Sequence, residues 1–246
     1  MKIAMVTGGG SGMGRSICLQ LAKRGDAVAV VDWDGEAAER VADEARTVGG
    51  KAVALKTDVS DRAQVDETAR KIRAELGPIG ILVTSAGITG FTPFMEITPE
   101  AWDKMLAVNL TGTYHCVQSA IPDMLEAGWG RIVLISSSSA QRGGPRMVHY
   151  ASSKGGVFAM TKSLALEFAP QGITVNNIAP SSIETPMHAK GRAEGQLSSI
   201  EEASARIPVR RLGTGDDIAA AAMFLVSDEA SYFTGQVMSV NGGSYI

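Results

Sequence analysis

The sequence predicts an α/β protein built on one doubly wound parallel sheet, with helices on both faces. Short β-rich runs alternate with longer amphipathic segments along the chain, which is the pattern of repeated βαβ units. Runs such as 28–31 and 132–135 are continuously apolar rather than alternating. Such runs are expected where helices cover both faces of a sheet, so they favour a parallel sheet in the interior.

The alternation gives each element in turn. Strands are predicted over residues 3–6, 27–31, 52–56, 81–84, 132–136, 174–178 and 237–240. Helices are predicted over 15–24, 35–48, 63–76, 99–125, 150–168 and 216–225. No linker, repeat or composition step interrupts this pattern, so residues 1–246 are predicted to form a single domain. The least regular stretch, residues 181–206, is predicted to be a loop that closes over the substrate.

Composition argues against several classes of function. The formal charge of -3 and the pI near 5.7 leave no basic surplus for a phosphate backbone, so nucleic acid is not expected as a partner. No segment has the apolar length that a bilayer requires, and the first residues lack a signal-peptide pattern, so a cytoplasmic protein without a membrane partner is expected. Cys18, Cys116 and the three histidines have no metal-ligand spacing, and no metal is expected.

A glycine-rich turn follows the first predicted strand and opens into the first helix. Glycines allow a tight turn and a close approach of backbone to a pyrophosphate, whose charge the helix N-terminus stabilises. A flexible loop would not require a strand before it and a helix after it. The turn therefore indicates a Rossmann-like dinucleotide site. The residues assigned to it are Gly8, Ser11, Gly12, Met13 and Gly14.

Asp32 ends the second predicted strand, 18 residues after Gly14. A carboxylate at this position accepts hydrogen bonds from the adenosine ribose and repels a 2′-phosphate, which favours NAD over NADP as the cofactor. Trp33 follows directly and is assigned to the same site. After the third strand, Asp58 and Val59 are placed to contact the adenine, although Asp58 could instead cap the helix predicted over 63–76.

Tyr150 and Lys154 lie four residues apart in a predicted helix and therefore share one face. A tyrosine with its ordinary pKa of about 10 is a weak base at neutral pH. A neighbouring ammonium and a cationic nicotinamide would favour the phenolate and lower that pKa. Taken alone, this spacing is more often a plain surface pair, so its interpretation depends on the cofactor motifs.

The glycine turn, Asp32 and the Tyr150/Lys154 pair together resemble the short-chain dehydrogenase/reductase family from about residue 2 to the end of the chain. The resemblance implies hydride transfer between NAD(H) and a secondary alcohol or ketone, 3-hydroxyacyl substrates included, with Tyr150 as the acid/base. It also implies that Lys154 lowers the pKa of Tyr150 and holds the nicotinamide ribose. Tyr150 and Lys154 are therefore both assigned to the cofactor as well as to catalysis.

The same resemblance implies two further catalytic residues. Asn109 would hold a water that relays the proton, and Ser137 would bind the substrate oxygen. Ser138 stays open as an alternative to Ser137, because both lie in a run of four consecutive serines.

Two further cofactor segments are implied by the family pattern. After the fourth strand, Thr84 replaces an asparagine that ties neighbouring strands together, so a less rigid region is expected there. After the sixth strand, Ser181 replaces a glycine and is expected to change the path of the loop. The residues assigned to the cofactor here are Ser85, Ala86, Gly87, Pro180, Ser181, Ile183 and Thr185.

Substrate contacts are the least determined part of the site. The candidate side chains are Ile88, Phe91, Phe94, Ser139, Gln141, Met147, His149, Met187 and His188. Any of them could instead be ordinary packing. Three arginines, Arg142, Arg146 and Arg192, could hold a carboxylate or a coenzyme A phosphate, although solvated arginines are the commoner case.

Two alternative functions stay open. Members of the family that reduce 3-oxoacyl-[acyl-carrier-protein] substrates resemble NADPH users and carry basic residues where this chain has Glu126, Trp129 and Gln171. The second alternative is a catalytically silent NAD-binding protein of the same fold, which would normally lack the tyrosine or the lysine. The family usually forms homotetramers, and the excess of apolar residues over 150–168 favours a tetramer here.

Overall fold

The structure is a computed structural model that describes residues 1–245. Its core is a seven-stranded parallel sheet in the order β3-β2-β1-β4-β5-β6-β7. The strands are β1 Ile3–Thr7, β2 Ala27–Asp32, β3 Ala52–Lys56, β4 Ile81–Thr84, β5 Gly130–Ile135, β6 Ile173–Ile178 and β7 Val237–Met238. The doubly wound α/β prediction is confirmed. The strand order reverses between β1 and β4, and such a switch point places a binding crevice at the carboxyl ends of these strands.

Helices pack on both faces of the sheet. They are α1 Gly12–Arg24, α2 Gly35–Thr47, α3 Arg62–Glu75, α4 Pro99–Leu106, α5 Gly112–Ala127, α6 Ser139–Arg142, α7 Val148–Phe168, α8 Pro186–Ala193, α9 Ile200–Arg206 and α10 Gly215–Leu225. Helices α1, α2 and α10 form one core with the sheet, and α3, α5 and α7 form the other. Val28 and Val30 of β2 face the first core, whereas Ala29 and Val31 face the second, which explains why the strand is continuously apolar.

The helix predicted over 99–125 is present as a continuous helical run, but it contains a π-helical turn that was not predicted. Helix α4 ends at Leu106, the turn occupies Ala107–Thr111, and α5 begins at Gly112. Asn109 lies in the middle of the turn. Gly112 allows a close approach to the end of β3, since a Cβ there would lie 2.7 Å from the Val59 side chain. Apolar periodicity does not reveal π-turns, which often occur at functional positions.

The prediction of an irregular loop over residues 181–206 is wrong, since α8 and α9 lie within it. Thr185 and Ser199 are the N-caps of these helices, each accepting a hydrogen bond from the first turn. Pro186 at the start of α8 has the fixed φ that suits this position. These capping residues are visible in the sequence. The helices were not predicted because the small and charged residues of this segment give no clear apolar periodicity. Closure of this segment over a substrate stays a prediction.

Within residues 1–245, no helix is both long and apolar enough to cross a bilayer. The same range contains no group of three or more His, Cys, Asp or Glu residues that could hold a metal ion. Cys18 and Cys116 are both buried, and burial raises the pKa of the Cys116 thiol to about 12. These thiols are therefore protonated and unreactive at neutral pH.

Candidate active site

A groove of about 440 Å³ opens at the carboxyl ends of β1, β2, β3 and β4. It lies at the crevice that the strand order predicts. Two substrate candidates, Ile88 and Met187, line it. The predicted cofactor residues that line it are Gly8, Ser11, Gly12, Met13, Asp32, Trp33, Asp58, Val59, Ser85, Ala86, Gly87 and Thr185.

The sequence reasoning missed five residues of the groove: Val31, Thr57, Lys104, Val108 and Pro186. Val31 and Thr57 directly precede the two aspartates that were assigned to the cofactor. Val108 directly precedes Asn109, and Lys104 lies four residues earlier on the same helical face. These positions could have been found by extending each motif by one strand residue or one helical turn.

The glycine turn has the geometry that a dinucleotide requires. Gly8 and Gly12 have φ values of +65° and +51°, in the left-handed region. A Cβ on Gly8 would lie 2.7 Å from the Ala86 nitrogen, and a Cβ on Gly14 would lie 2.0 Å from the Gly8 oxygen. Ser11, the N-cap of α1, makes no side-chain cap, so the first N–H groups of α1 can bind an anion. The turn therefore fits a pyrophosphate, although Gly14 contributes close packing rather than groove surface.

Two backbone N–H groups hold the Asp32 carboxylate. Its Oδ2 accepts from the Gly10 nitrogen at 2.9 Å, and its Oδ1 accepts from the Asp34 nitrogen at 3.0 Å. Each oxygen has a second lone pair, and the side chain lines the groove. The carboxylate can therefore accept further hydrogen bonds from hydroxyl groups in the groove.

Asp58 does not cap the helix that follows β3. The N-cap of α3 is Asp61, whose carboxylate accepts from the Ala63 nitrogen at 2.9 Å. Asp58 instead accepts from the nitrogen and the Oγ of Ser60, at 2.9 and 2.7 Å. The capping alternative is therefore wrong, and Asp58 lines the groove beside Val59.

Tyr150 and Lys154 lie in the first half of α7, and Lys154 is buried. The Lys154 ammonium donates to the backbone oxygen of Ile135 at 3.0 Å, and burial lowers the pKa of this lysine to about 8. Burial raises the pKa of Tyr150, and the neighbouring Ser137 hydroxyl opposes that rise. The implied effect of Lys154 on the pKa of Tyr150 stays a prediction.

The four consecutive serines have different surroundings. Ser136 is buried and donates to β6. Ser138 is buried too, and its backbone N–H donates to the loop after β6. The Oγ of Ser137 accepts from the nitrogen and the Oγ of Ser139, at 3.1 and 2.9 Å, and it lies beside Tyr150. This geometry favours Ser137 over Ser138 as the hydroxyl next to the phenol.

Alanine variants distinguish the two serines. Ser137→Ala is expected to lower kcat/KM by about 10²-fold, because a hydroxyl that stabilises the reacting oxygen contributes on that scale. Ser138→Ala removes a buried hydroxyl that does not adjoin Tyr150, so a much smaller loss is expected. Initial rates of both variants, with circular dichroism as the folding control, measure this. A larger loss in Ser138→Ala would transfer the role to Ser138.

The Asn109 side chain connects the loop after β4 to α7 by hydrogen bonds. Its Oδ1 accepts from the Ile88 nitrogen at 2.8 Å, and its Nδ2 donates to the Ile88 oxygen and to Ser153 Oγ, both at 3.0 Å. Ser153 in turn donates to the Tyr150 backbone oxygen at 2.7 Å. The Asn109 side chain is fully buried, so these bonds give it a positioning role. Its role in holding a water stays a prediction.

Thr84 does not tie the strands together by its side chain. Its Oγ1 is buried without a hydrogen-bond partner among residues 1–245. Thr7, its neighbour on β1, instead accepts from the Ala86 nitrogen at 3.3 Å through its Oγ1. The asparagine tie of the family pattern is therefore missing, while the lower rigidity expected there stays a prediction.

Of the four residues assigned to the cofactor after β6, Thr185 alone lines the groove. Ile183 is buried in the core and forms a β-bridge with Gly213, so its side chain packs in the interior, and its assignment to the cofactor stays a prediction. Ser181 does not adopt a positive φ, so replacement of glycine by serine introduces no backbone strain there. Pro180 accepts from the serine loop through its backbone oxygen, which connects this loop to β5.

His149 was expected near the substrate but is 3% exposed. Its Nε2 lies under Gly90, where a Cβ would approach it to 2.8 Å, and its Nδ1 has no partner among the described residues. Burial lowers the pKa of His149, so the ring is neutral at physiological pH. The enclosed ring packs against the loop after β4, and its assignment to the substrate stays a prediction.

The remaining substrate candidates lie in the segment after β4 and on or next to α6, α7 and α8. Ser139 bonds to Ser137, while Gln141 donates to Ser239 at 3.3 Å. Arg146 has a left-handed φ of +63° and donates to the Phe91 oxygen at 3.1 Å, which joins the loops before α7 and after β4. Phe94 is exposed, Met147 precedes α7, His188 and Arg192 lie on α8, and Arg142 ends α6.

The burial of Lys154 predicts a gain in stability when its charge is removed. Burying an ammonium whose pKa falls from 10.5 to about 8 costs about 3 kcal/mol, and its bond to Ile135 returns about 1 kcal/mol. Lys154→Met is therefore expected to be about 2 kcal/mol more stable than the parent protein at pH 7. The parent gains stability as pH rises from about 8 to 10.5, because the unfolded chain then binds more protons.

Urea unfolding of the nucleotide-free protein at pH 7 and pH 9.5 measures this difference. The advantage of Lys154→Met should shrink at the higher pH. Lys162→Met, at an exposed position of the same helix, is the matched control and should change little. A Lys154→Met protein less stable than the parent at pH 7 would show that the ammonium is stabilised by more than its bond to Ile135.

These features are those of a nicotinamide-dependent oxidoreductase with a Rossmann-like fold: a glycine turn at a helix N-terminus, an acid after β2, and Tyr150 and Lys154 beyond the groove. A family model, adh_short_C2, described as enoyl-(acyl carrier protein) reductase, matches residues 8–245. The chain belongs to the short-chain dehydrogenase/reductase family and is an oxidoreductase acting on CH–OH groups. The family resemblance inferred from the motifs is thus confirmed.

Relatives match over the full length of the chain. The 3-oxoacyl-[acyl-carrier-protein] reductase FabG of Staphylococcus aureus is 39% identical over 247 residues, which is 100% of this chain and 98% of that protein. The FabG reductase of Thermotoga maritima is 38% identical over 245 residues, again 100% and 98% of the two chains. Among solved structures, levodione reductase superposes with a TM-score of 0.94 at 32% identity, covering 98% of this chain and 96% of its own.

Proposed function

We propose that this enzyme transfers a hydride between NAD(H) and a secondary alcohol or its ketone, with Tyr150 as the acid/base. The observation that carries the proposal is the position of the Asp32 carboxylate in the groove. Asp32 lines it at the end of β2, while Ser137 and Tyr150 lie side by side beyond the ends of β4 and β5. The groove can hold the cofactor, and the two hydroxyl groups can bind the oxygen of the substrate.

The nicotinamide supplies or accepts the hydride when bound, so the protein's own residues supply position and protons. Ser137 donates a hydrogen bond to the substrate oxygen, and Tyr150 gives that oxygen its proton during reduction and takes it back during oxidation. Lys154, buried at the end of β5, holds the nicotinamide ribose. Asn109 keeps the loop after β4 and the Tyr150 backbone in a fixed relation through Ser153.

The choice of NAD rests on charge at the adenosine end. Asp32, Asp34 and Asp58 lie within or next to this part of the groove, and a 2′-phosphate there would face repulsion from Asp32. Arg15, the first-turn arginine of α1, is engaged by Glu44 on the surface of α2. The described contacts at the adenosine end of the groove thus favour a ribose with free hydroxyl groups over one with a 2′-phosphate.

Reduction of a 3-oxoacyl-[acyl-carrier-protein] is the second candidate function. The full-length identity to FabG reductases favours it. The residues that argued against carrier-protein binding, Trp129 and Gln171 among them, precede β5 and β6, whereas Ser137 follows β5. They therefore lie at the opposite edge of the sheet from the active site of the same chain. The missing basic residues at these positions are thus a weaker argument against binding of a carrier protein. Asp32 is the feature that favours NAD over NADPH as the cofactor of this chain.

A homotetramer in the cytoplasm is part of the proposal. Several large apolar side chains are exposed on the long helices and near the C-terminus, which supports association of copies of the chain. Leu166 on α7, Tyr114 on α5 and Tyr232 and Phe233 before β7 are examples.

Initial rates test the function directly. In the reductive direction, NADH and NADPH are each combined with acetoacetyl-coenzyme A, a 3-oxoacyl thioester, and with levodione, a cyclic ketone. In the oxidative direction, NAD is combined with simple secondary alcohols. We expect turnover with NAD(H), and the best substrate defines the class. Faster turnover of the thioester with NADPH would favour the second candidate. Tight NADH binding without turnover on any substrate would instead favour a catalytically silent protein.

A further inference from the structure

Asn177 is a polar side chain in a position that favours an apolar one. It belongs to β6 and is fully buried. Ile173 and Val175 of the same strand pack in the core that the sheet forms with α3, α5 and α7. Because side chains alternate along a strand, Asn177 points to the same face. A buried amide is costly unless it is hydrogen-bonded, so the partners of Asn177 indicate what it contributes.

The Asn177 amide connects the end of β5 to α7. Its Oδ1 accepts from the Ser136 hydroxyl, and its Nδ2 donates to Thr161 Oγ1 at 3.2 Å. Thr161 in turn donates to the Val157 oxygen at 2.8 Å, one turn earlier in α7. The three side chains Ser136, Asn177 and Thr161 are all buried, and we call them the Asn177 network. The network is a continuous series of hydrogen bonds from the end of β5, through β6, to the backbone of α7.

The Asn177 network ends next to the proposed catalytic hydroxyl groups. Ser136 directly precedes Ser137, whose Oγ lies beside Tyr150. The Ser136 N–H donates to the Ile178 oxygen at 2.9 Å, and this bond holds the backbone before Ser137 to β6. Tyr150, however, is carried by α7. The Asn177 network adds a connection to that helix, so it relates the position of Ser137 to that of Tyr150.

A second connection between α7 and the end of β5 uses a charged group. The Lys154 ammonium donates to the Ile135 oxygen at 3.0 Å. Lys154 is also the residue proposed to hold the nicotinamide ribose, so its bonding depends on the cofactor. Asn177 is not part of the groove lining. The Asn177 network therefore connects the same two elements whether or not a cofactor is bound.

We propose that Asn177 is a positioning residue, which fixes the Ser137 hydroxyl relative to the Tyr150 hydroxyl through the Asn177 network. This inference rests on the proposed function, because it requires both hydroxyl groups to act on one substrate oxygen. A displacement of about 1 Å in such an arrangement can lower a rate by about 10²-fold. A buried network whose members are all bonded is suited to this role, since it makes one arrangement of the core rigid.

Asn177→Leu tests the role with little change in shape, because leucine has nearly the size and branching of asparagine but forms no hydrogen bonds. The two hydroxyl groups that lose their partner keep another acceptor. Ser136 can donate to the Ile178 oxygen at 3.2 Å, and Thr161 donates to Val157. The melting temperature should therefore change little. We expect kcat/KM for the best ketone to fall about 10-fold, while the calorimetric Kd for NADH stays that of the parent.

A double-mutant cycle with Ser137→Ala identifies the residue through which Asn177 acts. If Asn177 positions Ser137, Asn177→Leu should cause no further loss of kcat/KM in the Ser137→Ala protein. A merely structural role would lower the rate by the same factor in both backgrounds. Thr174→Val is the matched control, because Thr174 is a buried residue of the same strand whose Oγ1 has no partner among residues 1–245. Its rate should equal that of the parent.

The outcomes separate this inference from the proposed function. A parent-like rate in Asn177→Leu, or an equal loss in both backgrounds, would overturn the positioning role and leave Ser137 and Tyr150 as catalytic residues. A parent-like rate in Ser137→Ala, or a parent protein without turnover, would contradict the proposed function and the positioning role together. Should Asn177→Leu not fold, Thr161→Val breaks the Asn177 network at α7 with a side chain of the same shape, and the same two criteria decide.

Discussion

Tyr150→Phe is expected to lower kcat by about 10²- to 10⁴-fold, the range that general acid–base catalysis contributes. Phenylalanine keeps the ring in place at the start of α7 but removes the hydroxyl beside Ser137. Cofactor affinity should fall much less than kcat, because the residues that line the groove are left unchanged. Steady-state rates with the best substrate, and the Kd for NADH from a binding titration, measure the two effects separately.

Tyr114→Phe is the control for this experiment, since Tyr114 is an exposed tyrosine of α5 whose hydroxyl bonds to Gln118 at 3.1 Å. Its activity should match that of the parent. Alcohol oxidation in the parent should rise with pH into the alkaline range, because burial raises the pKa of Tyr150 and oxidation requires the phenolate. Near-normal activity in Tyr150→Phe would rule out Tyr150 as the acid/base.

Asp32→Asn is expected to lower the ratio of kcat/KM for NAD over NADP by about 10²-fold. The change removes the charge that repels a 2′-phosphate, and a like charge in such a position costs several kcal/mol. It also exchanges one acceptor for a donor facing either the Gly10 or the Asp34 nitrogen, so some loss of NAD affinity is expected. Initial rates with each cofactor at varied concentration give the ratio.

Asp34→Asn is the control for Asp32→Asn. Asp34 carries the same charge and lies two residues away, but its side chain caps α2 and is not part of the groove lining. Asparagine is also a good N-cap, so little change in stability is expected. An equal loss of cofactor selectivity in both variants would show that the net charge of the region, rather than the Asp32 position, selects the cofactor.

The fold could be predicted because the apolar pattern of each strand agrees with its burial in the folded protein. In β2, Val28 and Val30 enter one core while Ala29 and Val31 enter the other, and such two-sided burial is directly visible as an unbroken apolar run. The glycine turn could be predicted as well, since the backbone at Gly8 and the contact at Gly14 leave no room for a side chain. Both signals are local in sequence and do not depend on distant packing.

The detailed surroundings of the site residues could not be predicted, because they depend on contacts between residues far apart in sequence. Asn109 was found by its motif, but its bonds to Ile88 and the π-turn around it arise only when the loop after β4 meets α7. His149 looked like a pocket residue because it precedes Tyr150, whereas one step along a helix turns a side chain by about 100° and places it under Gly90. Asp58 and Asp61 both resemble helix caps, and the strand end alone does not decide between them.

Transfer of deuterium to a ketone from NADH that carries deuterium at both C4 positions tests the central claim most directly. We expect the product alcohol to carry the label on the carbinol carbon, and we expect NADPH labelled at both C4 positions to supply it far more slowly. Tyr150→Phe should slow the transfer without changing the labelled position. A product whose new C–H bond carries no label from either cofactor would contradict direct hydride transfer. Faster labelling from NADPH would contradict the role assigned to Asp32.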